Sequence, residues 1–163
     1  MANCYFVSVP GTSHPTAALH VGRRLEAAGH AVRYLCIEDD TPFFQVNGVR
    51  HRVILRRSAP AGMLERRSRM TPWQLLRHLR GLGETTWAEW MDDHRTLAAL
   101  GPDERPDLFV VDALVAYTAF APMRAGTPVL LVNPLGVMQM FYTPSHEGNG
   151  VLEDLEHLMK LTN

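Results

Sequence analysis

Lysine is almost missing from this chain: Lys160 is the only one, and every other basic residue is arginine. That bias is the mark of a GC-rich coding sequence before it is a mark of function. Cysteine is nearly as scarce. Cys4 and Cys36 form no CxxC and no Cys/His spacing, which argues against a disulfide framework or a zinc module. No apolar run reaches the ~18 residues that a membrane span needs. The first residues do not form a basic-then-apolar signal peptide, so the cytoplasm is the expected location. Neither sign of charge dominates: 16 basic and 17 acidic residues leave a formal net charge of −1. No global field therefore points to nucleic acid or to an anionic membrane. GxGxxG, GxxxxGK[ST] and GxSxG are all absent, and with them the signals for dinucleotide binding, a P-loop and a hydrolase elbow. There are no internal repeats and no low-complexity tracts.

What is present is a globular composition, 46% hydrophobic and 20% charged over 163 residues, enough for one domain of ordinary size. The organising stretch runs from Tyr5 to His30. Tyr5 to Val9 is a short apolar run of the kind buried on both faces in a parallel sheet. Pro10 and Gly11 stop it, and Thr12, Ser13 and His14 follow as a polar loop. Pro15 suits the first turn of a helix. Ala18, Val21, Leu25 and Ala28 share one helical face, and Gly29 is a good terminator. Ala31 to Cys36 is a second apolar run. This β-loop-α-β unit puts His14 at the carboxyl edge of the sheet, where doubly wound folds bind ligands. Cys4 and Cys36 fall at opposite ends of two parallel strands, so no disulfide is expected between them.

Further along, Glu38, Asp39 and Asp40 form an acidic loop at that same edge. Thr41-Pro42 can cap a helix through Val46. Asn47-Gly48 could end that helix or turn a hairpin; the doubly wound pattern favours the helix, followed by a strand from about Arg52 to Leu55. Arg56 to Met70 holds five arginines and reads as a mobile, solvated loop, with a phosphate or acidic-ligand patch as the sharper alternative. A helical region from Thr71-Pro72 to about Leu100, with a break expected at Gly81-Leu82-Gly83, draws apolar contacts from Trp73, Leu76, Leu79, Trp87, Trp90 and Leu97. Aromatics at such spacing are more often core than ligand box. Leu108 to Val111 is a buried-type strand ending at Asp112. Ala113 to Arg124 reads as a helix, and Pro128 to Val132 as the fifth strand. Leu135 to Pro144 is apolar and Met-rich with no clean period. Val151, Leu152, Leu155, Leu158 and Met159 form a C-terminal amphipathic stripe.

In the strand order 3-2-1-4-5 the first and fourth strands are neighbours, so His14 and Asp112 meet at the topological switch point. A carboxylate that accepts from one imidazole nitrogen fixes the tautomer and leaves the other nitrogen as a base. Helix capping by both residues is the plainer alternative.

These residues resemble the N-terminal half of GT-B glycosyltransferases, the inverting, nucleotide-sugar-dependent enzymes that act on macrolides, aromatic polyketides and plant metabolites. The likeness lies in Pro10-Gly11-Thr12-Ser13-His14, Leu19, Leu25 and Gly29-His30. It continues in Pro106-Asp107 with the strand to Asp112, and in Gly126-Thr127-Pro128-Val129-Leu130-Leu131. Thr16-Ala17 stands where the family has Asn-Pro, and the loop has one glycine where the family has two or three. The resemblance implies an α/β fold, a Rossmann-like doubly wound parallel sheet forming one lobe of a GT-B fold over residues 1–163. It implies His14 as general base and Asp112 as its orienter. With only five strands counted, the lobe would lack its last strands and leave an exposed sheet edge beyond Pro128–Val132.

The implied activity is transfer of a hexosyl group from a nucleoside diphosphate sugar to a hydroxyl of a small, hydrophobic natural product, as in antibiotic biosynthesis. The acceptor would lie against Thr12, Ser13, Trp87, Trp90, Met138, Met140, Phe141 and Tyr142. No cofactor would be bound tightly and no metal is called for. The donor sugar nucleotide would be held mainly by a domain outside these residues, so the chain alone would be inactive. Its partners would be that donor-binding domain or subunit, or a second copy of itself. The alternatives are a non-catalytic small-molecule-binding or accessory protein derived from the same lobe, and half of a GT-B sugar-nucleotide epimerase.

Overall fold

The computed structural model describes residues 1–8, 13–132 and 138–142. Strands β1 (Asn3–Val7), β2 (Ala31–Cys36), β3 (His51–Val53), β4 (Leu108–Asp112), β5 (Val129–Val132) and β6 (Met138–Tyr142) form one sheet in the order 3-2-1-4-5-6. The first five are parallel, and β6 runs antiparallel along β5. The doubly wound reading therefore holds, with one correction. The edge of β5 is not bare: Tyr142 stands opposite Val129 and Met140 opposite Leu131. The methionine-rich run had no visible period because a single hairpin return on the sheet edge is too short to show one.

Helices cover both faces, as a parallel sheet requires. Alternation along each strand sorts the core in two. Cys4 and Phe6 of β1 and Leu108 and Val110 of β4 pack with Leu19 and Leu25 of helix α1 (Ser13–Ala27) and Phe44 of α2 (Thr41–Val46). Tyr5, Val7, Phe109 and Val111 face the other way. They pack with Met63 of α3 (Met63–Ser68), Trp90 and Leu97 of α4 (Pro72–Ala98), and Ala121 of α5 (Phe120–Arg124). A 3-10 segment, Ala113–Ala119, kinked at Val115, leads into α5 where one continuous helix was expected.

Helix α1 ends as expected. Gly29 takes φ +89° while its N–H donates to Glu26 O and that of His30 to Leu25 O, the left-handed stop that only glycine enters without strain. The same device decides between helix and hairpin at Asn47-Gly48. Gly48 takes φ +65°, its N–H donates to Gln45 O, that of Val49 to Phe44 O, and Asn47 Nδ2 to Phe43 O at 2.8 Å. The helix wins. Strand β3 is shorter than expected because Leu55 leaves extended geometry at φ 53°.

Helix α4 is unbroken over its 27 residues, opened by a capping box between Thr71 and Gln74. Two glycines cost only about 1 kcal/mol each in a helix, too little to break one this long. Its first half is less buried than the pattern implied: Trp73 is 69% and Leu76 58% exposed. Burial begins near Glu89 and Trp90.

At Gly22 a Cβ would run into the Tyr34 hydroxyl and Val32, so the glycine sets how closely α1 approaches β2. Gly22→Ala should destabilise the fold by about 1–3 kcal/mol, the usual cost of overpacking, despite its better helix propensity. Urea unfolding followed by circular dichroism checks it; a neutral or stabilising result would mean that α1 can shift outward freely.

Candidate functional site

The carboxyl ends of five parallel strands make one edge, and the chemistry-bearing residues collect there. Val7 stands opposite Val111, so Asp112 lies one residue past that pair, at the switch point between β1 and β4. Asp112 is buried at 5% exposure. His14 is the second residue of α1, in its first turn and not in the loop before it. The helix starts early because Pro15 is compatible with a first turn. The sheet order thus brings α1's first turn and Asp112 to the same edge. The side chains of Ser13 and His14 lie outside the described residues, as does Thr12.

The rest of that edge is built by carboxylates that hold backbone. Asp39, in a 3-10 turn over Glu38–Asp40, accepts from the N–H groups of Gly62 and Leu64 and so caps α3. Glu89 and Asp93, one turn apart on α4, grip the segment after β3. Asp93 accepts from Leu55 N at 2.8 Å. Glu89 accepts from Arg57 N and Ser58 N at 2.7 Å each and from the Ser58 hydroxyl at 2.6 Å. A leucine in the left-handed region costs about 1–2 kcal/mol, and Asp93's bond to its amide offsets part of that. The arginine-rich stretch is therefore pinned through its backbone and includes α3, while its arginines are solvated as expected, Arg57 and Arg69 being 69% and 76% exposed. Arg57 is paired with Glu89 and Asp92, Arg66 donates to Ala61 and Gly62 carbonyls, and Arg69 meets Glu65. Sequence reasoning missed these anchors, because an acidic residue on a helix is ordinarily a solvated one.

The expected acceptor-contacting residues divide. Trp90 is wholly buried, with Nε1 donating to Thr118 O at 3.0 Å, and is corrected to a core residue. Trp87, one turn earlier, is 39% exposed. Met138, Met140, Phe141 and Tyr142 are strand residues of β6; their side chains lie outside the described set. Among the described residues no group of three or more His, Cys, Asp or Glu side chains is placed to hold a metal ion.

Burial pushes the Glu89 carboxyl up. The bonds from the Ser58 hydroxyl, the two amides and the Arg57 guanidinium outweigh it, so its pKa lies below the ordinary value of 4.5. Asp93 goes the other way, raised chiefly by burial. A depressed carboxylate contributes stability that is complete above its unfolded pKa and lost as pH falls through the folded one. Stability should therefore drop as pH falls below about 4.5, and Glu89→Gln should remove part of that drop. At neutral pH the same variant should cost about 1–3 kcal/mol, since Gln leaves donors unpaired. Denaturant titrations of both proteins across pH check this; parallel pH profiles would show that Glu89 does not anchor the segment.

The fold has clear counterparts among solved structures. A spinosyn rhamnosyltransferase superposes with a TM-score of 0.52 at 20% identity, over 82% of this chain and 35% of that one. A glycosyltransferase of Streptomyces sp. SF2575 gives 0.56 at 18%, over 82% and 39%, and a calicheamicin glycosyltransferase 0.56 at 17%, over 82% and 32%. At these identities the likeness carries the fold. The chain spans about a third of the length of these neighbours. No curated protein matches it significantly. Residues 76–162, just over half of the chain, match the family model described as transmembrane-like, thioredoxin-like, C-terminal domain. That segment takes in most of α4 and strands β4 to β6. No described helix is long and apolar enough to cross a membrane. Both cysteines lie before residue 76, and a CxxC dithiol is absent. By its architecture the chain has the Rossmann-like α/β fold of one lobe of those glycosyltransferases, and by the family match it belongs to the family of the transmembrane-like, thioredoxin-like C-terminal domain.

Proposed function

We propose that this chain is the acceptor-binding half of a glycosyltransferase that moves a sugar from a nucleoside diphosphate sugar to a hydroxyl of a small natural product. The observation that carries the reading is the sheet order, which puts α1's first turn and Asp112 at one switch point in a fold shared with glycosyltransferases. His14 takes the proton of the acceptor hydroxyl. The oxygen attacks the anomeric carbon, and the nucleoside diphosphate leaves. Asp112 holds the imidazole in the tautomer that can accept the proton. Thr12, Ser13, Trp87, Met138, Met140, Phe141 and Tyr142 contact the acceptor. The donor is bound mainly outside these residues, by a further domain or subunit, in the cytoplasm.

Paired with a donor-binding domain, His14→Ala should lower turnover by ~10²–10⁴-fold with little change in acceptor affinity, and Asp112→Asn should lower it through the wrong tautomer. Unchanged turnover in both would leave the fold to the alternative, a non-catalytic small-molecule-binding protein.

Calorimetry offers an independent check on the donor. The 163 residues alone should bind nucleoside diphosphate sugars weakly or not at all. Micromolar binding would contradict the division of labour and turn attention to Arg56 and its neighbours up to Arg69.

A further inference from the structure

At the opposite, amino edge of the sheet lies a cleft of about 380 Å³, within the size range of small-ligand sites. It opens between the C-terminal half of α4 and the turns that lead into β4 and β5. Three side chains there have no described partner. His94 is 5% exposed, its ring set against Trp90 and Phe109 with centroids at 6.3 and 5.8 Å. Among the described residues no hydrogen bond is made by its imidazole, which lines the cleft. Burial lowers its pKa, so at neutral pH the ring is uncharged and offers one donor and one acceptor. Arg105 lines the same cleft, and its guanidinium enters no ion pair among the described residues. Thr127 brings a hydroxyl likewise unused. Asp107, the one carboxylate of the lining, already accepts from Asn3 N at 2.8 Å.

We propose that this amino-edge cleft is a second binding site, taking a small organic carboxylate between Arg105, Thr127 and His94. The guanidinium supplies the charge and a planar pair of donors that fits a carboxylate. Thr127 and the His94 N–H add neutral donors, and the aromatic wall behind His94 excludes water from one side. Asp107 disfavours multiply charged anions and leaves room for one carboxylate. The site is remote from the carboxyl edge and does not rest on the glycosyltransferase reading.

The test uses the whole chain, ¹⁵N-labelled, titrated with sodium butyrate and separately with butyramide. Butyrate should give saturable shifts at the amides of Ala98, Arg105, Gly126 and Thr127 and at the His94 imidazole, while butyramide gives none. Arg105→Ala, at an exposed position that should not disturb folding, should weaken binding at least tenfold, and Thr127→Val should weaken it less. Circular dichroism confirms that each variant is folded. No saturable shift, equal shifts with butyramide, or binding unaffected by Arg105→Ala would each overturn the proposal.

Discussion

The parallel pairing of β1 with β4 is the contact on which the molecule depends. Over a hundred residues separate the two strands, yet Cys4 to Val7 lie in register with Leu108 to Val111. No local turn can make that pairing, and helices cover it on both faces. It also divides the chain: everything before it extends the sheet one way, through β2 and β3, and everything after extends it the other way. The reversal of direction opens the crevice beyond Val7 and Asp112. Position of the site and stability of the core are thus one constraint, since a one-residue shift of register at β1–β4 would exchange the side chains that face the two helix layers.

Much of the fold was legible because buried parallel strands leave a plain mark. Tyr5–Val9, Ala31–Cys36, Leu108–Val111 and Pro128–Val132 are short, apolar and punctuated by Gly, Pro or Asp. They became strands within a residue or two at each end. What was misread depended on information outside the local pattern. Strand β6 could not be told from an apolar loop. Trp73 and Leu76 have core-like chemistry but are exposed on the first half of α4. The glycines of α4 read as a break, yet the turns on either side carried the helix through.

At the site, the sequence supplied His14 and Asp112 through topology and resemblance, and the observed strand order keeps them at one edge. It placed Asp39 at that edge without its capping role, and it did not supply Glu89 and Asp93. The partners of all three are backbone amides 23 to 38 residues away, and an amide carries no residue-specific signal in a sequence. Trp90 shows the converse error: a large aromatic near an expected cleft looks like a binding residue until its indole N–H is seen satisfied in the core.

Cys4 and Cys36 are both unpaired and buried in neighbouring strands at the centre of the sheet, and burial pushes each thiol up to about 12. A thiol in that condition is scarcely ever a thiolate at neutral pH, and no reagent can reach it without parting α1 or α2 from the sheet. The two positions are therefore a built-in clock for opening of the core. Their rate of modification by an alkylating agent counts how often the interior of the native protein is exposed, with no denaturant and no engineered label.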